Sequence, residues 1–250
     1  MKYGICNLSI IPLRKEASDT SEMTSQVLYG EYFEILEAKP KWVLIKLNFD
    51  GYQGWIDRKQ FIPISENQFN YLQTTQETYS SELVDFITYD QGELLPVCMG
   101  STVSSSSVLN HLFEGSVTFK KTDRIELIKT ALLYLNAPYL WGGKTPFGID
   151  CSGFTQMVFK LSGYALLRDA SQQATQGIAL SFLAESLPGD LAFFDNEEGI
   201  ITHVGIILNN HKIIHASGKV RIDKLDHTGI FNVDTKKHTH KLRVIKRIIE

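Results

Sequence analysis

Long apolar runs are missing from this 250-residue chain, and no stretch reaches the length that spans a bilayer. The start, Met1-Lys2-Tyr3-Gly4-Ile5-Cys6, lacks the extended apolar core and small-residue cleavage site of a signal peptide, so a cytoplasmic protein without membrane contact is expected. Charge of one sign is missing too. A net charge of −3 builds no basic field, which argues against nucleic acid as a partner. Cysteine is scarce: Cys6, Cys98 and Cys151 are odd in number and far apart, which excludes a disulfide framework and suits reduced thiols. Cys151, His203 and His215 form no short metal-ligand pair such as Cys-x-x-Cys, and neither a metal nor a cofactor is expected.

What is present divides the chain. Residues 1–62 read as short strands between turns, with Asn48-Phe49-Asp50-Gly51 as a hairpin signal before Gly54-Trp55-Ile56. Residues 63–118 turn polar and then serine-rich, which reads as a linker with a possible second, degenerate β-region. From residue 119 the period changes. Helical spacing runs from Thr122 to Leu135, again from Cys151 to Leu161, and a third helix is expected over Ala170 to Leu183. Strands follow at Asp190–Phe194, His203–Leu208, Lys212–His215 and Leu242–Ile249. Helices followed by an antiparallel sheet make this part α+β.

Cys151 stands where a glycine-rich loop, Tyr139-Leu140-Trp141-Gly142-Gly143, gives way to a helix, and unpaired N–H groups at a helix start favour a thiolate. His203 and His215 follow on two apolar strands. Nucleophile, base and orienting group in that order describe a thiol hydrolase, whose cysteine forms an acyl-enzyme that water then cleaves. Cys6 and Cys98 have no such context and read as small buried residues. His111, His211, His227, His238 and His240 read as surface residues.

Tyr139-x-Trp-Gly-Gly, Asp150-Cys-Ser-Gly, Pro188-Gly-Asp-Leu, His203-Val-Gly-Ile and His215-Ala-Ser together resemble the NlpC family of bacterial cell-wall cysteine peptidases. The N-terminal part, with Tyr29-Gly-Glu-Tyr-Phe and Gly51-Tyr-Gln-Gly-Trp55, resembles the bacterial SH3-type domains attached to such enzymes. The resemblance implies an α+β, papain-like peptidase domain over 119–250, preceded by one or two small SH3-like β-barrels. It also implies hydrolysis of the bond from γ-D-glutamate to a diamino acid, meso-diaminopimelate or L-lysine, in murein peptides.

By that resemblance Tyr139 adds its hydroxyl to the oxyanion hole, beside the backbone N–H of Cys151. Asp169 and Ser171 bind the free amine of an N-terminal L-Ala, or alternatively cap the third helix. Asp150 and Ser152 line the same pocket. Tyr52 of the SH3-type domain selects the free amino terminus, and Trp141 either lines the site or packs in the core. The expected enzyme is a monomer that recycles peptides such as L-Ala-γ-D-Glu-diaminopimelate. The alternative is an exported hydrolase acting on intact wall stems, with the SH3-type domain as anchor.

Overall fold

A computed structural model describes residues 1–249. The chain forms two compact units, one of residues 1–120 with 141–146, the other of residues 121–140 with 147–250.

The first unit opens with β1 (Tyr3–Ile5), β2 (Ile10–Arg14), β3 (Met23–Leu28), β4 (Tyr32–Ala38), β5 (Trp42–Leu47), β6 (Gln53–Asp57) and β7 (Ile62–Ile64). They form one sheet in the order β3-β2-β6-β5-β4-β1-β7, curled as an SH3-like barrel around Ile11, Leu13, Val27, Phe33, Val43, Ile45 and Ile56. The expected hairpin joins β5 to β6. Gly51 takes φ +71°, its N–H donates to the Leu47 carbonyl at 3.0 Å, and Asp50 Oδ1 accepts from the Tyr52 N–H at 2.9 Å.

The polar region beyond the barrel forms α1 (Glu66–Thr74), β8 (Tyr79–Ser80), β9 (Val84–Thr88), β10 (Leu94–Cys98), α2 (Ser106–Leu109) and β11 (Val117–Thr118). Its strands pair as two two-stranded ladders, β9 with β10 and β8 with β11, with isolated bridges from Tyr79 to Thr102 and from Thr88 to Leu112. A reciprocal Ser65–Gln68 capping box starts α1, whose Phe69 stacks on Tyr3 of the barrel at 4.0 Å. The serine run forms helical turns, and nearby Val103 packs with Tyr29, Ile87 and Val97. The segment with β12 (Lys144–Thr145) also belongs to this unit: buried Lys144 pairs with Glu31 at 3.2 Å and donates its backbone N–H to Gln26.

The second unit contains α3 (Arg124–Leu133), β13 (Gly148–Ile149), α4 (Cys151–Leu161), α5 (Ala170–Gln173), β14 (Ile178–Leu180), β15 (Leu191–Asp195), β16 (Ile201–Leu208), β17 (Lys212–Ser217), β18 (Lys219–Leu225), β19 (Gly229–Asn232) and β20 (Lys237–Arg247). Its sheet runs β14-β20-β15-β16-β17-β18-β19, and β19 pairs back onto β20, closing six strands into a barrel. Ala192, Phe194, Ile207, Ile213, Leu225 and Ile230 form one core cluster. Residues of alternate parity, including Leu191, Phe193, Val204, Ile206 and Ile214, are buried as well. Helix α4 packs against β16 and β17, the papain-like layout.

The third helix is shorter than its spacing suggests. It ends at Gln173, because Gly177 takes φ +70° and the chain turns into β14 instead. Pro188-Gly189-Asp190 is structural: buried Asp190 accepts from Arg124 at 2.9 Å and from Arg247 at 2.8 Å, tying α3 to β20.

Candidate active site

Helix α4 exists to place Cys151. Asp150, in extended backbone geometry at the N-cap, accepts the Gly153 N–H at 2.6 Å, which ends the loop and starts the helix one residue before the thiol. The same carboxylate is gripped by Arg168 at 2.6 and 3.0 Å, and Arg168 also donates to Ser152 Oγ at 2.9 Å. Gln173 donates to the Ser152 carbonyl and accepts from Thr155, so the segment after α4 locks the helix start in place. Asp150, Ser152 and Arg168 are therefore buried partners of one another.

The thiol lies against β16, with Sγ 3.9 Å from the Thr202 carbonyl. Next along that strand, His203 Nε2 lies 2.8 Å from His215 Nδ1, and His215 Nε2 lies 3.0 Å from Asp223 Oδ2. All three groups are buried. Burial opposes ionisation of Asp223, but hydrogen bonds from His215, Arg221 and the Val233 N–H prevail and hold its carboxyl well below the usual carboxylate range.

That charge sets every proton in the chain. An ionised Asp223 accepts from His215 Nε2–H, which leaves His215 Nδ1 bare. His215 Nδ1 then accepts from His203 Nε2–H, and the lone pair of His203 falls on Nδ1, the nitrogen left for a thiol proton.

Desolvation works against the expected thiolate. Burial first, and then the neighbouring Asp150 carboxylate, push the Cys151 thiol up to about 12, although the Val204 and Ser152 N–H groups and Arg168 favour the anion. Burial, then His215 and His240, push His203 well below the ordinary imidazole range. Both shifts favour the neutral thiol and the neutral imidazole, with desolvation opposing the helix terminus.

Tyr139 is half-buried, its backbone N–H bonded to the Gly218 carbonyl at 3.0 Å. Burial, then Cys151 and Asp150, push its phenol up to about 12, so its hydroxyl stays a donor. With Thr202, His203, Ala216, Ser217 and His240 it lines a cleft of about 270 Å³. Asp169 occupies the N-cap of α5, its backbone N–H donating to Gln172 at 3.0 Å, and Ser171 is exposed two residues on. Tyr52 and Trp141 lie in the first unit. Tyr52 packs partly against the barrel core, and Trp141, 60% exposed, donates its indole N–H to Glu22 at 2.8 Å.

Three participants escape a reading of the sequence. Asp223 sits between Arg221 and Lys224, where it resembles a solvated strand face. Arg168 is fully buried by its partnership with Asp150. His240, expected at the surface, stacks on His203 with ring centroids 4.1 Å apart, and burial pushes its imidazole down to about 4. Among the described residues, no group of three or more His, Cys, Asp or Glu is arranged to hold a metal ion.

A buried thiol at a helix start, packed against the barrel strand that carries His203 and its relay, defines a cysteine hydrolase of papain-like architecture. The family model described as the NlpC/P60 family matches residues 136–240, and the model described as the bacterial dipeptidyl-peptidase SH3 domain matches residues 13–61. The chain is 30% identical over 217 residues to the gamma-D-glutamyl-L-lysine dipeptidyl-peptidase of Bacillus subtilis, covering 77% of this chain and 71% of that one. It is 27% identical over 234 residues to the Bacillus cereus protein of the same name, covering 80% and 68%. A crystal structure of an NlpC/P60 family protein from Bacillus cereus superposes with a TM-score of 0.78 at 18% identity, over 99% of this chain and 100% of that one. The chain belongs to the NlpC/P60 family and is a cysteine peptidase.

Proposed function

We propose that this peptidase cuts murein peptides between γ-D-glutamate and an L-diamino acid, with Cys151 as nucleophile. The observation that carries the reading is a buried thiol at a helix start, lying against the Thr202 carbonyl, with the next residue, His203, opening a relay through His215 to Asp223 across three adjacent strands. The names of the two Bacillus relatives support the bond chosen.

His203 Nδ1 takes the thiol proton as sulfur attacks the γ-carbonyl carbon. The oxygen gains negative charge, met by the Tyr139 hydroxyl and the Cys151 backbone N–H. The tetrahedral species collapses, the C–N bond breaks, and His203 returns its proton to the departing α-amine. Water, deprotonated by His203, then cleaves the thioester and restores the thiol. His215 and Asp223 hold the tautomer throughout.

The acyl half is L-Ala-γ-D-Glu with a free amino terminus, the Asp169 carboxylate facing the ammonium and Ser171 serving the peptide backbone. Asp150 acts indirectly, since its oxygens cap α4 and hold Arg168. Such a substrate is a peptide already freed from the wall, so the proposed role is peptide recycling inside the cell, with the enzyme taken to act as a monomer.

The test is product analysis by mass spectrometry with L-Ala-γ-D-Glu-L-Lys, its meso-diaminopimelate counterpart, and N-acetylated forms of both. Release of L-Ala-D-Glu from the free-amine peptides alone is expected. Equal cleavage of the acetylated peptides would favour a hydrolase of intact wall stems, and cleavage of neither would remove the reading.

A further inference from the structure

A second groove, of about 700 Å³, opens beside the relay and is lined by Asp195, Thr202, Thr239, His240, Lys241 and Arg243, among others. It shares Thr202 and His240 with the cleft that holds Tyr139 and His203. The leaving nitrogen must take its proton from His203, so the amino acid that departs lies on the histidine side of Cys151. This second groove is the continuation of the cleft on that side.

Asp195 is built into its wall in an unusual way. It ends β15, next to Phe194, which pairs with His203 across the sheet. The register slips between Phe194 and Asp195 toward β16, and between Phe193 and Phe194 toward β20. Bulges of this kind re-aim a side chain beside a functional site. The Asp195 side chain is only 5% exposed, yet its Oδ1 has no hydrogen-bond partner. Its Oδ2 has Arg243 Nε at 3.6 Å, beyond hydrogen-bond reach, on a side chain that is 64% exposed.

A desolvated carboxylate with one oxygen unpaired is costly unless a cation completes it. The exposed Arg243, in a long ion pair with Oδ2 and not hydrogen-bonded to it, marks where such a cation would sit. We propose that Asp195 anchors the side-chain ammonium of the leaving diamino acid, with Arg243 moving aside as the ligand enters. The inference rests on the function proposed above and extends it, naming the group that makes the enzyme choose a diamino acid over an apolar residue of the same length.

The experiment compares hydrolysis of L-Ala-γ-D-Glu-L-Lys with that of L-Ala-γ-D-Glu-L-norleucine, which keeps the chain and lacks the ammonium. The wild type is expected to prefer lysine by about tenfold or more in kcat/KM, the scale set by leaving a buried polar group unmatched. In Asp195→Asn, which preserves shape, that preference falls to near unity. Equal cleavage of the two peptides by the wild type, or a preference that survives Asp195→Asn, overturns the assignment while leaving the proposed function standing. Cleavage of neither peptide removes the function instead. Calorimetric titration with free L-lysine and L-norleucine then decides the subsite alone: binding of lysine only, lost in Asp195→Asn, upholds it, and any other result rejects it.

Discussion

Gly205 lets β16 and β17 approach so closely that a methyl group on it would lie 2.9 Å from His215 Cβ. The same approach puts His203 Nε2 at 2.8 Å from His215 Nδ1. The glycine of His203-Val-Gly-Ile is thus part of the proton relay through backbone spacing. Gly205→Ala should push His215 aside, cost ~1–3 kcal/mol of stability through overpacking, and lower kcat well beyond any change in KM. Thermal denaturation and steady-state kinetics check this; a variant with wild-type kcat would show that the spacing does not matter.

Asp223 fixes both imidazole tautomers. Asp223→Asn keeps the shape but can present an N–H to His215, reversing the chain of donors, so kcat should fall at least about 10²-fold with KM little altered. Retention of most of the activity would mean that His215 alone orients His203.

A neutral thiol and imidazole at rest have a chemical signature. Alkylation of Cys151 by iodoacetamide should quicken steadily, approaching tenfold per pH unit, from pH 6 to 10, because a thiol pushed up to about 12 yields its anion only as pH rises. A rate already flat near pH 6 would reveal a preformed thiolate and imidazolium.

Stability should depend on pH in a stated direction. His203 is buried and His240 half-buried, and both refuse protons that the unfolded chain accepts near 6.5, so U binds more protons than N and stability falls as pH drops through that value. The His240 contribution is lost progressively down to about 4. Asp223 works at lower pH, where its depressed carboxyl contributes stability above its unfolded pKa that is lost on further acidification. Melting temperatures between pH 7 and 5 should therefore decline, less steeply in His240→Gln. An unchanged slope in that variant would place the proton uptake elsewhere.

Much of this was legible in the residues. Cys151 follows a glycine loop and opens a helix, and His203 and His215 alternate with apolar neighbours, which are local patterns. Asp223 and His240 were not legible, because each acquires its role through strand pairing that closes the barrel. The register of β17 with β18 sets Asp223 opposite Ile213, two residues from His215. Nothing in the local charge pattern at Arg221 to Lys224 distinguishes that strand from a solvated one. Arg168 is similar: arginine reads as surface until Asp150, eighteen positions away, is seen to bury it. The third helix was overdrawn since Gly177, a single residue with φ +70°, outweighed a helical pattern around it.

The central claim is that Cys151 carries the acyl group. Acid quenching of wild-type protein during turnover of L-Ala-γ-D-Glu-L-Lys, followed by peptide mapping, should show the mass of an L-Ala-D-Glu acyl group on the peptide containing Cys151, and none on Cys6, Cys98 or in Cys151→Ala. Turnover that persists in Cys151→Ala, or an adduct on another residue, would contradict the account.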